Sequence, residues 1–288
     1  MRALVTIFFA LFLTRPTSAQ PKRIVSTLPS ATETLFALGL GARVVGVSTY
    51  CRYPPEVLGL PKIGTYLKPD AEKIALLRPD LVVIPETSPG FADRLSAVGI
   101  RYVQIKNGSL ADVYSMIQDL GRSTGVEEKA GSLNRDIRSR LDAIGAGNAG
   151  LPRPTVLMVV GRTPGLLSNL IAVGSSTYLG ELLEIAGGSN ALKDTAIPYP
   201  RISLETVVRL DPAVILDMSM MGESTEPRIR EERLQFPWLA HRELAAVRNS
   251  MVFGLASEAL VTPGPRVIDA VEAIRGRIRM ASPPRAER

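Results

Sequence analysis

One fifteen-residue pattern occurs twice in the chain. Residues 70–84 read DAEKIALLRPDLVVI and residues 203–217 read SLETVVRLDPAVILD. Aligned without gaps, Glu72 meets Glu205, Leu77 meets Leu210, Pro79 meets Pro212, and an apolar run follows each proline. Copies this far apart are not stacked repeats, which recur every ~20–50 residues. They predict two similar lobes, each holding the same helix–proline–strand unit.

Each copy has a local physical reading. Asp70 and Ser203 can accept a hydrogen bond from the free N–H groups of a new helix, so they are candidate N-caps. Glu72 and Glu205 then fall in the first turn, where the helix dipole favours a negative charge. Pro79 and Pro212 lack an N–H and stop the helix. The short apolar run beyond each proline suits a buried parallel strand. Either glutamate alone reads as a solvated helix-start acid contributing about 0.3–1 kcal/mol. The same acid at the same step of both copies points instead to a shared role.

The rest of the chain fits an α/β organisation of two lobes with mostly parallel central sheets joined by a single long bridging helix. The N-terminal lobe is expected over residues 22–125. Strands are expected at 23–26 and 44–47, and a helix over 29–40 with Ser30-x-x-Glu33 as a capping box. Helical spacing runs from Leu110 to Ile144, with Gly121 and Gly125 as breaks. The bridging helix is expected over 126–148 and a C-terminal lobe over 153–280. That lobe should open on a strand at 155–160 and carry a helix over 179–186 stopped by Gly187-Gly188. A loop is expected over 218–230, a last strand at 251–255, and a closing helix after Pro263-Gly264-Pro265-Arg266.

The first nineteen residues read as an export signal: a basic start at Arg2, an apolar run to Leu13, and Thr17-Ser18-Ala19 as the cleavage site. The run is short for a membrane span. The only cysteine is Cys51, so neither a disulfide nor a lipid-bearing cysteine after Ala19 is expected, and Cys51 reads as a small buried residue. These features predict a soluble periplasmic protein. A formal charge of +6 with both signs interleaved concerns solubility, and no nucleic-acid motif accompanies it.

The chemistry of catalysis is thin. A single histidine, His241, denies the chain a histidine-rich metal site and reads as surface. No Gly-x-Ser-x-Gly elbow, phosphate loop or His-Glu-x-x-His is present. Gly39-Leu40-Gly41 follows a helix rather than a strand and is not a dinucleotide fingerprint. Asn107-Gly108-Ser109 matches a glycosylation sequon by chance. No catalytic residue, metal ligand or resident cofactor is therefore assigned, and an exported enzyme on a two-lobed scaffold is the weaker alternative.

What remains is a set of aromatic loops. Tyr50, Tyr53, Tyr66 and Tyr199 all lie in Pro- or Gly-flanked connections, the places where α/β sheets hold ligands. A tyrosine offers a flat apolar face and a polar tip, suited to a large, partly apolar ligand. Tyr53, before Pro54-Pro55, reads as packing. Tyr66 and Tyr199 precede the two repeat copies and predict a cleft lined from both lobes.

Three stretches, Tyr50-Cys-Arg-Tyr-Pro-Pro-Glu56, Gly64-Thr-Tyr66 with Glu72 and Pro79, and Ile197-Pro-Tyr-Pro-Arg-Ile-Ser203-x-Glu205, carry a resemblance over residues 22–280. They resemble the class of periplasmic binding proteins for cobalamin, ferric siderophores and haem that feeds ABC importers. The resemblance implies a monomer of two lobes with little hinge motion and a metal-chelate ligand in the cleft. It implies Tyr50, Tyr66, Tyr199 and Arg266 as ligand-binding residues, and Glu72 and Glu205 as the acids that dock onto permease arginines. Tyr66 and Tyr199 stand where cobalamin binders of the class have tryptophan, and Pro85 replaces another aromatic. Haem binders of the class use a tyrosine near Tyr66 as iron ligand. A corrinoid is the leading expectation for the transported ligand, with a ferric siderophore or haem as the alternatives.

Overall fold

The computed structural model describes residues 20–219 and 226–281. The expected export signal lies outside the described residues, as does part of the 218–230 loop. In chain order the first sheet region comprises β1 (Ile24–Ser26), α1 (Pro29–Ala37), β2 (Val44–Val47), α2 (Ala71–Leu76), β3 (Leu81–Pro85), α3 (Pro89–Ala97) and β4 (Tyr102–Ile105). Its four strands lie in the order β2-β1-β3-β4, and every pairing is parallel. Parallel strands buried on both faces need continuous apolar sequence, and all five residues of β3 are buried.

Two long helices follow, α4 (Leu110–Thr124) and α5 (Glu127–Ala146). Ser109 and Asp112 form a reciprocal capping box at the start of α4, and Gly125, at φ 71°, ends it in the left-handed region. Gly121 does not break α4 as its residue type suggested. A Cβ there would collide with the Ala130 methyl of α5, so the glycine serves close helix packing.

The second region comprises β5 (Thr155–Gly161), β6 (Leu170–Ala172), α6 (Tyr178–Ile185), β7 (Ser189–Asn190), β8 (Arg201–Ile202), α7 (Leu204–Leu210), β9 (Val214–Asp217), α8 (Pro227–Gln235), α9 (Ala245–Arg248), β10 (Val252–Gly254) and α10 (Val267–Met280). The strand order is β10-β9-β5-β6-β8, with β7 also on β5. Pairings among β10, β9, β5 and β7 are parallel, whereas β6 pairs antiparallel with β5 and β8. This sheet is therefore mixed. The part of the expected 218–230 loop from Pro227 onward is helical.

The duplication is physical as well as textual. Asp70 caps α2 by accepting from the N–H groups of Glu72 and Lys73, and Ser203 caps α7 by accepting from Thr206 N–H. Ile74 and Val207, at matching steps, are wholly buried. Beyond each helix the chain turns through a non-glycine residue in the left-handed region, Arg78 at φ 44° and Asp211 at φ 37°, immediately before the matched proline.

The two sheets share one apolar core. A single buried cluster runs from Ile24 and Val83 through Ile117, Ile137 and Leu141 to Leu182, Val271 and Ile274. Helix α5 packs on α4 at one side and on α6 and α10 at the other, so the linking helix is embedded in both lobes. A shared core of this kind resists wide hinge opening. No helix among the described residues is long and apolar enough to cross a membrane.

Candidate functional site: a cleft between the lobes

Backbone geometry brings two tyrosine loops together. The Tyr50 loop leaves the carboxyl end of β2, where open parallel sheets hold ligands. The Tyr66 loop turns at Gly64, whose φ of 92° needs glycine and whose Cβ would stand 2.6 Å from the Lys68 carbonyl oxygen. Thr49 N–H donates to the Gly64 carbonyl at 2.9 Å and ties the loops. The Tyr50 and Tyr66 rings meet edge to face, with centroids 5.9 Å apart. Beyond that contact both rings keep substantial exposed surface, Tyr50 at 52% and Tyr66 at 39%.

These rings line a cavity of about 470 Å³ between the lobes. Arg52 and Asn107 join them from the first lobe, while Glu258, Val261 and Thr262 form the facing wall. Two ion pairs cross from lobe to lobe beside it. At the mouth, Arg52 Nη1 donates to Glu258 Oε1 at 3.3 Å, with both side chains about half exposed. Deeper, Arg266 Nε donates to Glu33 Oε2 at 2.8 Å and its Nη2 donates to the other carboxylate oxygen. Glu33 is 4% exposed and Arg266 20%. The Arg266 guanidinium also lies 4.1 Å over the Tyr53 ring.

Burial sets the electrostatics of the inner pair. Desolvation pushes the Glu33 carboxyl above its ordinary value, further than the hydrogen bonds and charge of Arg266 bring it back. Arg266 is raised in turn, chiefly by its hydrogen bonds to Glu33. The buried Tyr178 hydroxyl, without a hydrogen-bond partner, is raised by burial and by the nearby Glu33 charge.

The expected ligand residues therefore divide. Tyr50 and Tyr66 stand side by side on the cavity wall. Arg266 sits outside the lining with its guanidinium engaged by Glu33 and Tyr53. Tyr199 is exposed in the connection before β8, also outside the lining, and desolvation raises its phenol. Glu33 is not a capping-box acid: the N-cap of α1 is Leu28 without a side-chain bond, and Glu33 turns inward to Arg266. Arg52 and Glu258 escaped the sequence reading. Arg52 lies inside the Tyr50–Glu56 motif, which was a usable signal, whereas nothing local marks Glu258.

Glu72 and Glu205 are both solvent-exposed in the first turns of α2 and α7. Among the described residues neither carboxylate joins an ion pair. Each helix borders a shallow apolar hollow outside the cleft. One, of about 510 Å³, is lined by Leu204, Glu205 and Val208; the other, of about 520 Å³, by Ala71, Ala75, Phe91 and Leu95. Leu76, on the helix that carries Glu72, is 82% exposed.

Cys51 is buried, with its sulfur 3.2 Å from Thr32 Oγ1 and 3.3 Å from Ser48 Oγ. His241 is partly exposed and pairs with Glu243 at 2.9 Å. Among the described residues no group of three or more His, Cys, Asp or Glu side chains is gathered as metal ligands would be.

Two α/β lobes around a tyrosine-lined cleft define a protein built to capture a small molecule between domains. Residues 24–259 match the family model described as periplasmic binding protein, and the chain belongs to that family. A vitamin B12-binding protein of Vibrio cholerae is 29% identical over 276 residues, covering 94% of this chain and 95% of its own. An uncharacterised ABC transporter substrate-binding lipoprotein of Bacillus subtilis, YvrC, is 30% identical over 264 residues, covering 88% and 79%. The crystal structure of a periplasmic haem-binding protein from Pseudomonas aeruginosa superposes with a TM-score of 0.76 at 27% identity, covering 91% of this chain and 94% of that one.

Proposed function

We propose that this protein is a non-catalytic, periplasmic substrate-binding subunit that delivers a corrinoid to an ABC importer. The observation that carries the reading is the cavity between the lobes, with the Tyr50–Tyr66 pair on one wall and Val261 on the other. A macrocycle presents a broad apolar face, and exposed aromatic rings are what such a face stacks on. The likeness to a vitamin B12-binding protein favours the corrinoid. The likeness to a haem-binding structure, together with an exposed Tyr66 phenol able to reach a metal, supports haem as the second reading, with a ferric siderophore beside it.

The importer side rests on the duplicated acids. Glu72 and Glu205 occupy the same step of matched helices, one per lobe; Glu205 lines one apolar hollow, and Ala71 and Ala75 of the helix that carries Glu72 line the other. Two exposed carboxylates on helices that border apolar surface suit a membrane partner carrying two matched basic sites. The substrate-binding lipoprotein among the relatives supports the same partner class.

Calorimetric titration of the purified protein with cyanocobalamin, haemin and a siderophore panel tests the ligand reading. Binding of cyanocobalamin is expected, and no binding to any of them would refute the function. Glu72→Ala with Glu205→Ala should leave ligand affinity unchanged and abolish stimulation of the importer's ATPase; full stimulation would return both acids to a helix-start role.

A further inference from the structure

We infer that Arg52 recognises an oxyanion on the rim of the ligand, and that Glu258 is the internal partner it surrenders on binding. The inference rests on the cleft-binding reading above and names a specificity determinant within it. Arg52 and Glu258 line opposite walls of the cavity and touch at 3.3 Å. A ligand filling the space between the walls has to part them. Their side chains are 49% and 42% exposed, and an ion pair so hydrated is weak and readily exchanged.

The geometry of the guanidinium leaves it underused. It offers five N–H donors in a planar fork, matched to two-point binding of carboxylate or phosphate. Among the described residues, Nη1 to Glu258 is its one hydrogen bond. The inner pair contrasts in each respect: Arg266 is doubly bonded to a carboxylate almost wholly buried, and stacks on Tyr53. Separating that pair would strand a buried charge, so it stays closed while the outer pair exchanges. Glu258 thus stands where a ligand oxyanion would bind and balances the Arg52 charge at the mouth until it is displaced.

The recognised chemistry is a rim carboxylate or phosphodiester flanking an apolar face. The phosphodiester of a corrinoid and the carboxylates of a porphyrin supply the same group, and the assay separates them. Cyanocobalamin is compared with cobinamide, which lacks the phosphodiester, and haemin with its dimethyl ester. Arg52→Gln should weaken binding of the oxyanion-bearing member of the bound pair about tenfold. Glu258→Gln should tighten it about threefold by removing the competitor. The oxyanion-free member has to part the same pair, so either change should tighten it by up to about threefold, and only Arg52→Gln should move the two members in opposite directions. Unchanged affinities in both variants, with wild-type binding intact, would overturn the inference and leave the transport reading standing. Binding of none of the four compounds to the wild type would overturn the inference together with the corrinoid and haem readings. Circular dichroism and the melting temperature of each variant verify that neither surface change disturbs the fold.

Discussion

Removing either member of the inner ion pair tests how the lobes are held in register. Breaking a buried pair from one side costs about 3–5 kcal/mol when the orphaned charge has nowhere to go. The two sides are unequal here. Glu33→Gln leaves Arg266, which is 20% exposed and keeps the Tyr53 ring 4.1 Å away, so its charge is partly solvated and partly matched by the π face. About 2 kcal/mol is expected, a fall in Tm of about 5 °C for a chain of this size. Arg266→Met instead strands a carboxylate that is 4% exposed, and about 3 kcal/mol or more is expected at pH 7.

The pH dependence gives the sign. Desolvation already places the folded-state Glu33 carboxyl above its ordinary value of 4.5, and removing Arg266 deletes the causes that lower it. A group raised on folding contributes stability that is present below the unfolded value and is lost as pH rises through the folded one. The Arg266→Met penalty should therefore shrink as pH falls from 7 toward 5, whereas the Glu33→Gln penalty should grow over the same range, because the raised carboxyl of the wild type gains stability on protonation and the variant has no such group. Urea unfolding followed by the fluorescence of Trp238, the single tryptophan, reads both variants and their double. The double should cost less than the two singles added. Additive losses, or an Arg266→Met penalty that grows on acidification, would refute the reasoning.

Other substitutions probe separate parts of the fold. Asp217→Asn should cost about 3–5 kcal/mol and shift the Trp238 emission, because Asp217 Oδ2 accepts from Arg162 Nε and Trp238 Nε1, both at 2.8 Å, and Arg162 is 1% exposed. Arg78→Gly should stabilise by up to about 1 kcal/mol in urea unfolding by relieving φ 44°. Asp211→Gly should be near neutral, since it forfeits the 2.7 Å bond from Ala245 N–H. Gly121→Val should destabilise by about 1–3 kcal/mol in thermal melts, because the space against Ala130 is already closed.

Most of the fold was legible wherever a local rule decided the outcome. The caps at Asp70 and Ser203, the stop at Gly125 and the buried run of β3 each follow from residue type and spacing within a few positions. The antiparallel edge of the second sheet was not legible, because β6 and β8 are 3 and 2 residues long and carry no periodicity to read. Glu33 misled for a physical reason. Ser30-x-x-Glu33 has capping-box spacing, but its true partner lies 233 residues away, where no local pattern reports it. The same distance effect hid Glu258 and placed Tyr199, matched to Tyr66 by the repeat, outside the cavity wall. Duplication constrains the scaffold of each lobe more tightly than the loops laid over it.

The shared core and the unequal ion pairs together limit how the cleft can work. A hinge movement large enough to expose the cleft floor would have to break apolar contacts running continuously through Ile137, Leu141 and Ile274, and would leave Glu33 without its counter-ion. Each cost exceeds what an exposed contact at the mouth returns. The cheaper path swings Arg52 and Glu258 apart by side-chain rotation, while the backbone that carries Glu72 and Glu205 holds its spacing. A carrier built this way presents nearly the same pair of carboxylates with and without cargo. Under the transport reading proposed above, discrimination of the loaded form would then lie in local changes at the cleft mouth rather than in the distance between Glu72 and Glu205. Spin labels at Lys73 and Thr206, beside the two acids, should give one interlabel distance whether or not ligand is present; a shift beyond about 3 Å would show that the core yields.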